Sequence, residues 1–307
     1  MKVLAHIHTF NDADVIQATL GAVLGQTVPP DGVLIVDNAS TDGTLDFDIP
    51  EGVAVVRQEQ NLGTSGAVHI GLRYGLDHGY DWVWTFDADS APRPDALAKL
   101  LELYDQLPED RRERTACIAS LPIDAANGRA YHGLRIRPGS YDVVEPSDEL
   151  PWYRCDVTMW TGAMFKLAAT RDFGLPSMDY VLDWGEYEYG YRRKLAGYDT
   201  YLHTESILDH DVRGPSLSSA PRRFGPIALR VLEMPPIRAY YYIRNNLNFW
   251  LYRYRGPRRL TVSLLRLYKC AKLIGNAFLV RENRGKMLGA CLRGYWDGVF
   301  GLMHKRF

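Results

Sequence analysis

WVWTFDAD, residues 82–89, is the stretch on which the reading of the fold turns. Trp82 to Phe86 form a run of aromatic and β-branched residues with no polar alternation, which suits a strand covered on both faces. The run stops abruptly at two aspartates one residue apart, Asp87 and Asp89. In open α/β sheets ligands bind beyond the carboxyl ends of the strands, so a strand that delivers two carboxylates there is a candidate for chemistry.

The residues upstream extend the pattern. KVLAHIHT (2–9) reads as a strand, 12–26 as an amphipathic helix, VLIVD (33–37) and VAVVR (53–57) as strands, and about 64–78 as a helix. Strand and helix in alternation predict an α/β fold with a central, mostly parallel sheet. Downstream, 108–158 holds Pro, Gly and short β-like runs without helical period, and irregular strands are expected there.

A chain of 307 residues, 46% hydrophobic and 24% charged, has the size of one large domain or a domain with an appendage. The four cysteines are far apart and lack C-x-x-C spacing, which predicts reduced thiols rather than a zinc ribbon or a disulfide framework. MKVLAHIHTF has no apolar leader pattern, and no run of 18 uncharged apolar residues occurs, so a cytoplasmic protein without a spanning helix is expected. The net charge of −1 conceals a division: residues 222–307 carry 18 Lys and Arg against three acids, a net of +15, and residues 1–221 stand at −16. Two parts with different partners are implied, 1–221 and a basic, aromatic-rich helical part over 222–307.

Within the basic part, Leu260, Leu264, Leu267, Ala271, Ile274 and Phe278 recur at helical spacing, with Arg266, Lys269 and Lys272 about opposite. With Tyr240, Tyr241, Tyr242, Phe249, Trp250, Tyr252 and Tyr254, this suits a helix lying on an anionic membrane surface rather than binding nucleic acid. The competing reading is packing against the rest of the chain or a second subunit, as in a homo-oligomer.

Polar clusters close the other strands. They are Thr9 to Asp12, Asp37 to Gly43, and Asn61 to Gly66. Each alone suits turn or capping chemistry, but four clusters at one edge of one sheet make a shared surface. Of the four D-x-D tripeptides, only Asp87/Asp89 is delivered by a strand, and two such carboxylates can hold one divalent cation together with substrate phosphates and waters.

HTFND, VDNASTDGT, NLGTSGA, FDADS, WTGAMF, DWGEYEYGYR, the HDVRG turn and YYYIRN together resemble the bacterial family 2 glycosyltransferases of the GT-A fold, notably rhamnosyl- and galactofuranosyltransferases. The match covers roughly residues 1–215 and is looser beyond. The resemblance implies a catalytic domain with a nucleotide-binding half (about 1–107) and an acceptor half (about 108–221). It places Thr9, Asn11, Asp37, Asn61, Gly63 and Asp87 around a UDP- or dTDP-sugar donor, and Asp87, Asp89 and His210 around Mn²⁺ or Mg²⁺. Trp160, Thr161, Gly162 and Trp184 fall on the acceptor side, where Trp160 suits either stacking on a sugar or core packing.

The base implied by the resemblance is Glu186, with Asp183 and Glu188 competing. An acceptor hydroxyl attacking an anomeric carbon must lose a proton, and a positioned carboxylate contributes about 10²- to 10⁴-fold. The plainer reading pairs Glu186, Glu188 and Arg192 on an exposed helix. The expected activity is inverting transfer of a sugar, rhamnose or galactofuranose, to a saccharide or a polyprenyl-diphosphate-linked glycan at the inner face of the membrane. A sugar nucleotidyltransferase is a second enzyme class for such a sheet, but this sequence lacks the Gly-rich, Arg- and Lys-bearing loop after the first strand that handling a triphosphate would need. A non-catalytic membrane-bound partner protein is the remaining alternative.

Overall fold

In the computed structural model, residues 1–211, 222–224, 227–229, 234–277 and 283–303 are described. Val212 to Gly214 of the HDVRG turn, the 221/222 boundary and Phe278 lie outside them. Two compact units result, and they do not follow a single cut in the chain. The first holds Met1–Ile136, Asp142–Met178 and Tyr189 to Asp211; the second holds Arg137–Tyr141, Asp179–Glu188 and the described C-terminal residues.

The first unit opens with β1 (Val3–Thr9), α1 (Ile16–Leu24), β2 (Gly32–Asp37), β3 (Val53–Arg57), α2 (Gly63–Asp77) and β4 (Trp82–Asp87). Then follow β5 (Ser90–Pro92), α3 (Ala96–Gln106), α4 (Glu109–Arg114) and β6 (Thr115–Asp124). After the short strands β7 (Leu134–Arg137) and β8 (Ser140–Val143) come β9 (Trp152–Cys155), β10 (Ala163–Lys166) and the one-turn α5 (Thr170–Phe173). The helix α6 (Gly185–Leu195) leads into β11 (Asp199–His210).

The main sheet runs β3-β2-β1-β4-β10-β6-β11-β5, with β9 also on β11. β1, β2, β3 and β4 are parallel neighbours, and β6 and β11 are parallel too, while β10, β5 and β9 pair antiparallel. The sheet is buried on both sides, as its apolar runs require. Val3, Ile7, Val33, Ile35, Trp84 and Phe86 face α1 and α3, whereas Leu4, Leu34, Val36 and Val83 face α2. Gly71 allows α2 to come this close, since a Cβ there would stand 2.6 Å from the His6 ring.

The expectation for 108–158 is corrected at its start. Residues 109–114 are helical and 115–124 form a ten-residue strand in mid-sheet. Glu109 and Asp110 in the first turn of α4, and three arginines in its last, complement the helix dipole, so charge placement rather than an apolar period sustains this helix.

The second unit contains β12 (Arg222–Phe224), β13 (Ile227–Leu229), α7 (Pro236–Asn248), α8 (Arg259–Ala277) and α9 (Arg284–Val299). Its core gathers Ala239, Ile243, Leu247, Cys270, Ala277, Met287 and Cys291. All four cysteines are buried and unbridged. Arg266 is not on an outer face of α8. It is buried, its guanidinium 4.5 Å from the Trp250 ring centre, and it donates to the Gly139 carbonyl at 2.7 Å. Leu260, Leu264 and Tyr268 are exposed instead, beside exposed Lys269 and Lys272. No described helix is long and apolar enough to cross a membrane.

Candidate active site

Sheet register assembles the site. β1 pairs with β2 and β4 so that Thr9 stands beside Asp37 and His8 beside Asp87, which aligns the carboxyl ends of three strands. β11 is long enough to reach the same edge, and its last residue, His210, pairs with Ser90 of β5. Ligand atoms of Asp87, Asp89 and His210 thereby come within 4.8 Å of one another. The sequence separation of 121 residues between Asp89 and His210 is closed by that one pairing.

The donor set of this cluster suits a hard divalent cation. Oδ1 of Asp87 and Oδ1 of Asp89 are buried without an aligned hydrogen bond among the described residues, as ligand oxygens in search of a cation are. Nδ1 of His210 lies 2.8 Å from Ser90 Oγ and 3.3 Å from Asp89 Oδ1, which leaves Nε2 for a ligand role. Burial pulls the His210 imidazole down, but its close contact with the Asp89 carboxylate and the charges of Asp87 and Asp89 outweigh it and its pKa is raised. For Asp87, burial pushes the carboxyl up, and His8 with His210 and His6 more than reverses this to a lowered pKa.

His8 is the residue that sequence reading missed. Its Nε2 is 2.7 Å from Asp87 Oδ1, close enough for an ion-pair contact though not aligned as a hydrogen bond. The HIH alternation on a buried strand was the available signal. His6, one pleat further in, is fully buried with both ring nitrogens without a hydrogen-bond partner among the described residues, and its ring stacks on that of His8 at 5.6 Å.

The candidate donor residues are knitted into one rim. Thr9 donates to Asp12 at 3.0 Å, and Asn11, at φ 59°, donates its N–H to Ser40 and accepts from the Thr41 N–H. Asp37 accepts from the Ser40 N–H at 3.0 Å. Asn38 accepts from the Leu62 N–H at 3.4 Å, and Asn61 accepts from the N–H of Gly63, whose φ is 71°. Of the other D-x-D pairs, Asp12 receives the Phe10 N–H as a turn acceptor and Asp209 pairs with Arg93 at 3.0 Å.

Residues 160–163 are stitched to the end of β4. Thr161 accepts from the Asp87 N–H at 3.3 Å, and the Gly162 N–H donates to the Thr85 carbonyl at 2.7 Å. Gly162 has φ 76°, and a Cβ there would strike Leu208 at 2.2 Å, so glycine is required twice over. Trp160 is 7% exposed and packs on Phe165 and Tyr189, the packing role of the two weighed for it.

Asp183, Trp184, Glu186 and Glu188 belong to the second unit. Asp183 is ion-paired with Arg238 at 3.1 Å, Trp184 is 2% exposed among Tyr187, Tyr242, Phe249 and Trp250, and Glu188 is buried. Glu186 is half-buried in the first turn of α6, so the helix is not the exposed one of the plainer reading.

Comparison with known proteins gives the frame. The model of the glycosyl transferase family 2 domain matches residues 5–111. Undecaprenyl-phosphate mannosyltransferase of Micrococcus luteus is 39% identical over 107 residues, covering 33% of this chain and 44% of that protein. Galactofuranosyltransferase GlfT1 of Mycobacterium tuberculosis is 34% identical over 196 residues, covering 61% of this chain and 62% of that protein. The chain thus spans less than two thirds of the length of either relative. Mannosyltransferase PcManGT from Pyrobaculum calidifontis, solved in complex with GDP-Man and Mn²⁺, shares the fold at a TM-score of 0.55 and 15% identity, over 98% of this chain and 88% of that one. Residues 5–111 of this chain are therefore a glycosyl transferase family 2 domain, set in a GT-A fold with a helical C-terminal part.

Proposed function

We propose that this protein is an inverting, metal-dependent glycosyltransferase. Its donor is a UDP- or dTDP-sugar, with rhamnose or galactofuranose the sugar moved, and its acceptor a saccharide, in the cell a lipid-linked glycan. The observation that carries this reading is the convergence of Asp87, Asp89 and His210 at the strand edge that also bears the Thr9, Asp37 and Asn61 clusters.

In this reading Asp87, Asp89 and His210 hold Mn²⁺ or Mg²⁺. When bound, the cation supplies charge stabilisation for the diphosphate leaving group. Asp37 accepts from the pyrimidine base, and Thr9, Asn11, Asn61 and Gly63 shape the nucleotide pocket. Thr161 and Gly162 serve the acceptor side, and the burial of Trp184, like that of Trp160, leaves it a packing role. Glu186 is the general base: as the acceptor oxygen bonds to the anomeric carbon from the face opposite the diphosphate, its proton passes to the Glu186 carboxylate and the carbon–diphosphate bond breaks. Glu186 is half-buried where Glu188 is deeply buried, which supports Glu186 over Glu188.

The exposed Leu260, Leu264 and Tyr268 beside Lys269 and Lys272 support contact with an anionic membrane surface, where a lipid-linked acceptor resides. The relative from Micrococcus luteus, by its name, acts on a polyprenyl phosphate.

The test is Asp89→Ala in a thermal-shift screen of UDP- and dTDP-sugars with and without Mn²⁺. A ligand that binds only the folded state raises apparent stability. The wild type should be stabilised most when cation and nucleotide sugar are both present, and the variant should fold but lose that shift. An unchanged shift in Asp89→Ala would remove the metal assignment.

A further inference from the structure

YYYIRN, residues 240–245, lies on α7, and no role in donor or metal binding accounts for it. Its polar members point at a short segment of the same unit, residues 179–184, which leads into α6. That segment contains two consecutive non-glycine residues in the left-handed region, Asp183 at φ 57° and Trp184 at φ 68°. A bulky aromatic there is a backbone outlier, of the kind that persists only when its surroundings over-determine it.

The surroundings are α7. Asn245 places both hydrogens of its side-chain amide on consecutive carbonyls, Leu182 at 2.7 Å and Asp183 at 3.0 Å. Its Oδ1 accepts from Arg244 Nε at 2.9 Å, so the orientation of the amide is fixed by chemistry: only the nitrogen can serve two carbonyls and only the oxygen can serve a guanidinium. Arg244, fully buried, lies over the Tyr240 and Tyr241 rings and also donates to the Asp179 carbonyl. In the first turn of α7, Arg238 holds the Asp183 carboxylate through two nitrogens, at 3.1 and 3.2 Å. Tyr180 donates to Asn248 at 2.7 Å, which closes the clamp at its other end.

We propose that Arg238 and Asn245, braced by Arg244, are positioning residues: they lock Asp183 and Trp184 in the left-handed conformation and thereby set the first turn of α6, which carries Glu186. The proposal rests on Glu186 acting as the base. A merely structural clamp would lower stability when broken, whereas a positioning clamp also lowers turnover in enzyme that remains folded, with donor binding intact. Arg238 suits the test because its side chain is 41% exposed and the variant keeps the buried Asn245–Arg244 pair.

The experiment compares wild type, Arg238→Gln, Arg238→Lys and Glu186→Gln, using turnover of dTDP-rhamnose and UDP-galactofuranose with Mn²⁺ and hydrogen exchange of the full chain. In Arg238→Gln, kcat should fall about tenfold with KM for the nucleotide sugar little changed, because a misplaced base costs the transition state rather than the donor complex. Amides 184–188 should exchange about tenfold faster while those of α9 stay as in wild type. Arg238→Lys, which keeps the charge but not the two-point grip, should recover part of the turnover. Wild-type exchange at 184–188 in Arg238→Gln overturns the proposal whether or not these sugars are used. So does wild-type kcat in that variant when Glu186→Gln is inactive. Full turnover in Glu186→Gln is a separate result and removes the base assignment instead.

Discussion

His6 carries a cost that its neighbours do not relieve. The imidazole is fully buried, both nitrogens lack hydrogen-bond partners among the described residues, and burial first, then the adjacent His8, hold its pKa well below 6.5. The unfolded chain therefore binds a proton that the folded one refuses. Stability is full above the unfolded pKa and declines as pH falls through 6.5 toward the depressed folded value. His6→Leu should narrow the gap in melting temperature between pH 8 and pH 5.5, as read by calorimetry. It should not abolish that gap, because the buried His203 is lowered by the same cause. An unchanged gap would show that His6 does not titrate with unfolding. At this scale the three residues that converge at the strand edge were legible: Asp87 and Asp89 by their place at a strand end, His210 through the family resemblance. His8 was not, because its contact with Asp87 exists only through the register of two strands some 75 residues apart in sequence, and single-strand alternation cannot show what stands opposite. At the same scale Glu186→Gln, which keeps the shape of the side chain but cannot take a proton, should lower kcat by about 10²-fold or more with donor affinity nearly unchanged. A larger loss in Asp183→Asn, with Glu186→Gln nearly active, would move the role to Asp183.

α8 shows how far helical periodicity reaches. It gave a true helix and a true basic character, and it erred on Arg266, since a period supplies an angle around the helix and not the partner waiting at that angle. The partners, Trp250 and the Gly139 carbonyl, lie 16 and 127 residues away. Arg266→Met should cost about 1–3 kcal/mol of stability, through the lost cation–π contact and a carbonyl left without its donor. Lys269→Glu with Lys272→Glu should leave the melting temperature nearly alone and release the protein from vesicles of anionic lipid at low salt, where each basic residue adds about 1 kcal/mol. Co-sedimentation and calorimetry on both variants separate the two roles. Wild type that fails to bind such vesicles at low salt would contradict the membrane reading. α4 makes a related point: six residues, all charged and with no apolar face, escape a periodicity search and still form a helix, because the ends are matched to the dipole.

At the scale of the whole molecule, strand and helix alternation was enough for the class of fold, because parallel strands buried on both faces write themselves as continuous apolar runs. The unit division was not legible. Charge separates the chain near 221, whereas packing assigns 137–141 and 179–188 to the C-terminal unit, through contacts such as Asn245 with Leu182 and Arg266 with Gly139 that no composition profile carries. The candidate site follows the same hierarchy: register brings Thr9, Asp37, Asp87 and His210, from four strands, to one edge of the sheet. The most direct test is Mn²⁺ binding followed by electron paramagnetic resonance in wild type and Asp89→Ala, with and without UDP. Wild type should bind the cation, more tightly with UDP present, and the variant should lose binding in both conditions while its melting temperature stays close to wild type. Equal Mn²⁺ binding by the two proteins would contradict the account.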